Sequence, residues 1–220
     1  FGNVRRNKLS DFTNVMANGK IAMKLQGNDS LIGVQACDEN HDVLLASKNG
    51  RCIRFPVTGV RVFAGRSSVG VRGMRVQDGD EVISLSILQH TEFSVEERDA
   101  YLRRMRLEKI SDSHEKSEND TPEIHSGENK LILSQKRYQE LVKTDEQILT
   151  IASNGYGKRT SAYEYTVRNR GGQGIVNISL DASEKKQSTV VASFPVINDE
   201  QLVIVSDQGQ MIRTSVVDIR

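Results

Sequence analysis

The stretch Val43-Leu-Leu-Ala-Ser-Lys-Asn-Gly-Arg-Cys-Ile-Arg-Phe55 decides the fold. An apolar run leads into Asn49-Gly50, and an alternating run leads out of it. Asn-Gly supplies the left-handed backbone that a tight hairpin turn needs, so the stretch predicts two antiparallel strands. The motif recurs. Gly155-Tyr-Gly-Lys-Arg159 follows Ile148-Leu-Thr-Ile-Ala-Ser153, and Gly209-Gln-Met-Ile-Arg213 follows Leu202-Val-Ile-Val-Ser206. Gly2-Asn-Val-Arg-Arg6 is a further copy, and in each an arginine stands four residues after the glycine.

After each of the first three hairpins a polar link leads to a glycine-led strand: Gly19-Lys-Ile-Ala-Met23, Gly73-Met-Arg-Val76 and Gly174-Ile-Val-Asn-Ile178. A fourth strand is expected over Ser30–Ala36, Glu81–Ile87 and Ser188–Phe194. The hairpin glycines lie 48 residues apart from 2 to 50 and 54 apart from 155 to 209. Four strands at that period predict an all-β fold, a propeller-like array of four-stranded blades over 1–220. Gly2 opens at a turn without its preceding strand, and Arg220 falls soon after a second strand. A fragment of a longer array is therefore expected, with cut sheet edges open to strand exchange with another copy.

The step from Gly50 to Gly155 is 105 residues, one period plus roughly fifty. The excess reads as a partly helical acidic insertion at about 89–145, set at a blade edge rather than forming a separate domain. Ser94-Val-Glu-Glu97 is a capping box that opens a helix to about Ile110, with Tyr101, Leu102 and Met105 on one side. Ser111–Asn129 is polar and acidic and reads as mobile. Ser134–Lys143 predicts a second short helix.

The net charge of +1 hides a partition. Residues 1–75 carry +7, residues 76–147 carry −7, residues 148–180 carry +3 and residues 181–220 carry −2. The positive charge is gathered in glycine-arginine turns, above all Gly65-Arg-Ser-Ser-Val-Gly-Val-Arg-Gly-Met-Arg-Val76. Guanidinium suits paired contacts with phosphate oxygens, and flanking glycines expose backbone N–H groups that add anion contacts. Arg54, Arg66, Arg72 and Arg75 fall in one unit, Lys158, Arg159, Arg168 and Arg170 in the next, and Arg213 in the last. Around a ring of blades they form a basic band that holds bent duplex DNA by its phosphates and reads little sequence. Arg54, Arg159 and Arg213 recur at one place in the repeat, which equally fits a structural ion pair between blades. Lys20 and Lys24 equally fit a solvated strand face.

No catalytic site emerges. His41, His90, His114 and His125 have no second ligand at metal spacing, and the last three fall in the insertion. No Gly-x-x-x-x-Gly-Lys-Ser/Thr loop is present. Cys37 and Cys52 sit inside expected strands and read as reduced thiols of a cytosolic protein. No apolar run is long enough to span a bilayer, and the N-terminal residues are no signal peptide.

Several segments together resemble the C-terminal DNA-wrapping domain of the bacterial DNA gyrase A subunit. They are Lys8-Leu-Ser-Asp-Phe12, Leu31-Ile-Gly-Val34, Asn49–Phe55, Gly65–Val76, Asp78-Gly-Asp-Glu-Val82, Asn154-Gly-Tyr-Gly-Lys-Arg159 and Glu164–Gly174. The resemblance implies a β-pinwheel, in which neighbouring blades swap an outer strand, and DNA bent around the rim to support negative supercoiling. The family's heptapeptide, Gln-Arg-Arg-Gly-Gly-Lys-Gly, belongs to its first blade. Arg168-Asn-Arg-Gly-Gly-Gln-Gly174 matches four of its seven places and reads as a degenerate copy, with the complete box expected ahead of Phe1. The resemblance further implies a cytoplasmic, ATP-dependent type II topoisomerase whose cleavage machinery, ATP and Mg lie in other domains, with no cofactor in this chain. Double-stranded DNA, the rest of the gyrase A subunit and the gyrase B subunit are the implied partners. Two other readings stand beside it: the equivalent domain of the topoisomerase IV A subunit, and a propeller that serves as a protein-interaction scaffold. The acidic insertion is expected to compete with DNA for the basic rim.

Overall fold

The computed structural model describes residues 1–65, 67–112, 133–180 and 188–219. Two compact units result, one of Phe1–His90 with Glu146–Arg220 and one of Thr91–Asp145.

The first unit is built of short antiparallel strands in chain order: β1 (Asn3–Val4), β2 (His41–Ser47), β3 (Arg51–Pro56), β4 (Val71–Arg72) and β5 (Val82–Gln89). After the helical unit come β6 (Gln147–Ala152), β7 (Gly157–Ser161), β8 (Ile175–Val176), β9 (Val190–Val196), β10 (Gln201–Val205) and β11 (Met211–Ser215). The hairpins β2–β3, β6–β7 and β10–β11 stand where the glycine turns place them, with Gly50, Gly155 and Gly209 all at positive φ. The sheets are ordered β5-β2-β3-β8, β7-β6-β9, β10-β11 and β1-β4.

The third strand of each repeat leaves its own unit. β4 follows β3 in the chain yet pairs with β1, and β8 follows β7 yet completes the sheet of β3. The docking repeats bond for bond. Gly2 carbonyl accepts from Gly73 N at 2.8 Å and Met74 N at 3.1 Å, and Gly50 carbonyl accepts from Asn177 N at 2.8 Å and Ile178 N at 3.2 Å. This is the outer-strand exchange that the resemblance implies.

The exchanged strands are shorter than expected, two residues each, and β4 lies just ahead of Gly73 rather than after it. Gly19–Met23 and Ser30–Ala36 form no strand. Among the described residues no strand pairs with them, and Leu31, Ile32 and Val34 are exposed.

β2 is buried on both faces, which explains its unbroken apolar run. Val43 and Leu45 pack with Ile53, Phe55, Met74 and Val82 on one side. Leu44, Ala46 and Cys52 pack on the other against Ile148, Ala162 and Tyr165 of the next repeat. Burial pushes the Cys52 thiol up to about 12. One repeat further, Leu149, Ile151 and Val196 pack with Leu202, Ile204 and Val216. Within this core Tyr165 hydroxyl donates to Asn177 Oδ1 at 2.8 Å, and Asn177 Nδ2 donates to Thr150 Oγ1 at 3.0 Å. The buried amide is thereby satisfied.

The second unit holds α1 (Val95–Asp112) and α2 (Gln135–Thr144). The capping box forms: Glu97 N donates to Ser94 Oγ at 3.2 Å, and Ser94 N donates to Glu97 Oε2 at 3.0 Å. Ser134 caps α2 by accepting from Arg137 N. The helices meet through Tyr101 and Tyr138, ring centroids 5.5 Å apart, and through Arg137 Nε to Glu97 Oε1 at 3.0 Å. Of the expected mobile stretch, Ser111 and Asp112 close α1, and 113–132 lie outside the described residues, His114 and His125 among them. Residues 91–145 carry only −3 of the −7 over 76–147; the remainder is Asp78, Asp80, Glu81 and Glu146, which belong to the sheet unit.

Candidate nucleic-acid interface

Arg54 is the largest correction to the sequence reading. It stands on β3 opposite Leu44 and is 2% exposed. Its Nε donates to Asp42 Oδ2 at 2.8 Å, one terminal nitrogen to Ala162 carbonyl at 2.8 Å, and the other to Gln89 carbonyl at 2.9 Å. All three edges of the guanidinium are engaged, so it reaches no phosphate. Asp42 is fully buried and also meets His90 Nδ1 at 2.8 Å, which places His90 in the sheet unit rather than the insertion. This repeat position thus holds a structural ion pair at Arg54, but within the β2–β3 hairpin rather than between blades; the link to the next repeat is the hydrogen bond to Ala162 carbonyl. The pairing does not recur, because Asp42 is replaced in register by Gln147 and Gln201. Arg159 is half-buried and donates to Asn198 Oδ1 at 2.7 Å, and Arg213 is exposed on β11.

The two glycine-arginine stretches, with Arg72 and Arg170 98 residues apart in the chain, come together. Gly171 N donates to Gly73 carbonyl at 2.5 Å, and Arg75 N donates to Gly172 carbonyl at 2.8 Å. Arg170 locks the contact, with Nε to Gly59 carbonyl at 2.8 Å and a terminal nitrogen to Arg72 carbonyl at 2.9 Å. Arg51 fixes the end of the same loop, donating to the carbonyls of Gln173 and Gly174, both at 3.0 Å. Arg170 and Arg51 thus hold the loop, whereas Arg72, Arg75 and Arg168 are exposed beside it. Arg168 Nε donates to Thr166 Oγ1 at 3.1 Å. Lys158 is half-buried on β7, and Arg66 lies outside the described residues.

Three further arginines were not singled out from sequence. Arg51 is one, and Arg5 and Arg61 are the others; their guanidinium carbons sit 4.8 and 4.4 Å from the Phe63 ring centroid. Cation–π stacking of this kind orients a guanidinium without neutralising it. A signal was available, because residues 51–77 contain six arginines and no aspartate or glutamate, and neither does 165–180. Such a segment has no internal counter-charge, so its arginines either reach a carboxylate elsewhere in the fold, as Arg54 does with Asp42, or stay available to an external anion.

A sequence model of the family described as "DNA gyrase C-terminal domain, beta-propeller" matches residues 1–38, 41–89, 146–185 and 200–220. The chain belongs to the DNA gyrase C-terminal domain family. The matched residues pass over both helices and cover every named strand except β9. Among relatives, the chain is 46% identical over its full length to the DNA gyrase A subunit of Granulibacter bethesdensis, of which it covers 24%. It is 40% identical to the DNA gyrase A subunit of Rickettsia bellii, of which it covers 23%. The chain thus spans about a quarter of the length of the curated relatives it matches. Its fold is similar to the crystal structure of the C-terminal domain of DNA topoisomerase IV, with a TM-score of 0.68 at 16% identity. That match covers 100% of this chain and 51% of the other. At that identity the likeness concerns the fold alone.

Proposed function

We propose that this chain is a non-catalytic DNA-binding module of a DNA gyrase, which bends duplex DNA along its basic surface to support negative supercoiling. The observation that carries the reading is the docking of the 169–174 loop against Arg72–Arg75. It brings together the segments that carry Arg72, Arg75 and Arg168, all three exposed, and both segments are without aspartate and glutamate. Arginines of this kind hold phosphates, which gives affinity and orientation with little sequence preference. Bending a 20–30 bp site costs on the order of 1–6 kcal/mol, so several such contacts must act together. Within the whole enzyme the module would work with the rest of the gyrase A subunit and with the gyrase B subunit, in the cytoplasm. ATP, Mg and strand cleavage would belong to other domains.

Binding to a linear duplex across a salt series tests the reading. Each neutralised phosphate contributes about −0.9 to the slope of log K against log salt. Changing Arg72, Arg75 and Arg168 to Gln lowers the slope by about one for each lost contact, with the fold unchanged by circular dichroism. A slope near zero for the unaltered chain would favour the protein-scaffold reading instead.

A further inference from the structure

The link between a hairpin and its exchanged strand repeats as closely as the strands do. It opens with a short turn, Val57–Gly59 in one repeat and Ala162–Glu164 in the next. Val60 N closes the first turn on Val57 carbonyl at 3.0 Å, and Tyr165 N closes the second on Ala162 carbonyl at 3.2 Å. Two residues on, Val62 forms a parallel bridge with Arg6 and Val167 forms one with Arg54. Phe63 N then donates to Arg6 carbonyl at 2.9 Å, and Arg168 N to Arg54 carbonyl at 2.8 Å. Residue for residue, Arg61 is the counterpart of Thr166, and Phe63 is the counterpart of Arg168.

Both links therefore carry an arginine at one place with the spelling reversed. Side chains two residues apart on an extended chain share a face, so Arg61 meets Phe63 as Thr166 meets Arg168. Arg168 Nε reaches Thr166 Oγ1 at 3.1 Å, and the Arg61 guanidinium lies 4.4 Å from the Phe63 ring centroid. Phe63 is 6% exposed and its carbonyl accepts from Asn7 Nδ2 at 3.0 Å, so the ring is a fixed platform. Arg5 stacks on the same ring, but its Nε and one terminal nitrogen are spent on Asn7 and Ser68, and the other terminal nitrogen is buried. Arg61 is exposed, and among the described residues it has no hydrogen bond or ion pair. Stacking fixes the plane of its guanidinium and leaves its N–H edges and its charge unmatched.

On the DNA-binding function proposed above rests a further assignment: we infer that Arg61 contacts a phosphate of the duplex and that Phe63 orients it. The 57–63 link then does in its repeat what the 162–168 link does through Arg168. Phe63 is a positioning residue, which acts through Arg61 and does not touch DNA.

Binding to a linear duplex across a salt series tests this with Arg61→Gln, Phe63→Leu and the two combined. Arg61→Gln is expected to lower the slope of log K against log salt by about one, as Arg168→Gln does. Phe63→Leu keeps every charge and is expected to weaken binding roughly two- to tenfold at an unchanged slope, because Arg61 must then be ordered on contact. Added to Arg61→Gln, it is expected to change nothing further, which a merely structural role of the ring would not give. Arg61 is exposed, so its variant keeps the far-ultraviolet spectrum and carries the test even where Phe63→Leu unfolds the chain. A steep slope that Arg168→Gln lowers and Arg61→Gln leaves unchanged overturns the assignment of Arg61 alone. Losses that add in full in the combined variant overturn the role of Phe63. A slope near zero for the unaltered chain overturns the DNA-binding function, and this assignment with it.

Discussion

Four arginines share one position in the repeat and meet different environments. Arg6 pairs with the exposed Glu39 at 3.5 Å, Arg54 is buried against Asp42, Arg159 is half-buried with Asn198, and Arg213 faces solvent. The difference follows from what stands across the sheet. A buried pair is weak evidence for net stability, but removing one partner strands the other without water or counter-charge. Arg54→Met is therefore expected to cost about 3–5 kcal/mol in urea unfolding. Arg213→Met, made on the exposed equivalent, is expected to stay within about 0.5 kcal/mol. Equal effects of the two would refute the assignment. Sequence alone shows the recurring arginine. Its burial depends on a single carboxylate, Asp42, present at the start of one hairpin strand and absent from the others.

At the level of the element, local spelling serves well where the partners are near in sequence. The Asn-Gly hairpins, the Ser94 capping box and the Ser134 cap all form within a few residues of where the sequence predicts them. It serves poorly for Gly19–Met23 and Ser30–Ala36, which read as strands and form no ladder among the described residues, because a strand is made by its partner and not by its own spelling. The glycines measure how much of an element's cost comes from docking. Gly174 and Gly209 have φ of +71 and +77, so alanine at either meets about 1–2 kcal/mol of left-handed strain. Gly174→Ala in addition drives a Cβ into the Cys52 carbonyl and displaces β8, whereas Gly209→Ala has open space. The first is expected to lower the midpoint of chemical unfolding well below that of the second. Similar midpoints would mean that β8 contributes little to the sheet.

For the whole molecule, Thr91–Asp145 is proposed as an insertion that the sheet unit does not need. The chain leaves at His90 and returns at Glu146, and these ends are close, since Gln89 N donates to Glu146 Oε2 at 2.7 Å. Replacing 91–145 by a short glycine-serine link is expected to remove the helical signal while leaving cooperative unfolding of the β-rich remainder. Because the segment is acidic by only three charges, its removal should tighten DNA binding modestly at low salt and not at high salt. Loss of the β-rich fold would show that the helices are structural instead.

The hairpins, the helix starts, the repeat period and the excess of arginine in carboxylate-free segments are legible in the chain before it folds. Each of these is set by residues adjacent in the chain, through turn conformation, capping and composition. Where the exchanged strands dock and which arginines stay exposed depends on contacts between distant parts of the chain. Arg54 meets Ala162 and Arg51 meets Gly174 across more than 100 residues, and such contacts turn a charged side chain into a strut by withdrawing it from water. Arg72, Arg75 and Arg168, spelled in the same way, remain exposed, while Arg170 is spent on the carbonyls of Gly59 and Arg72.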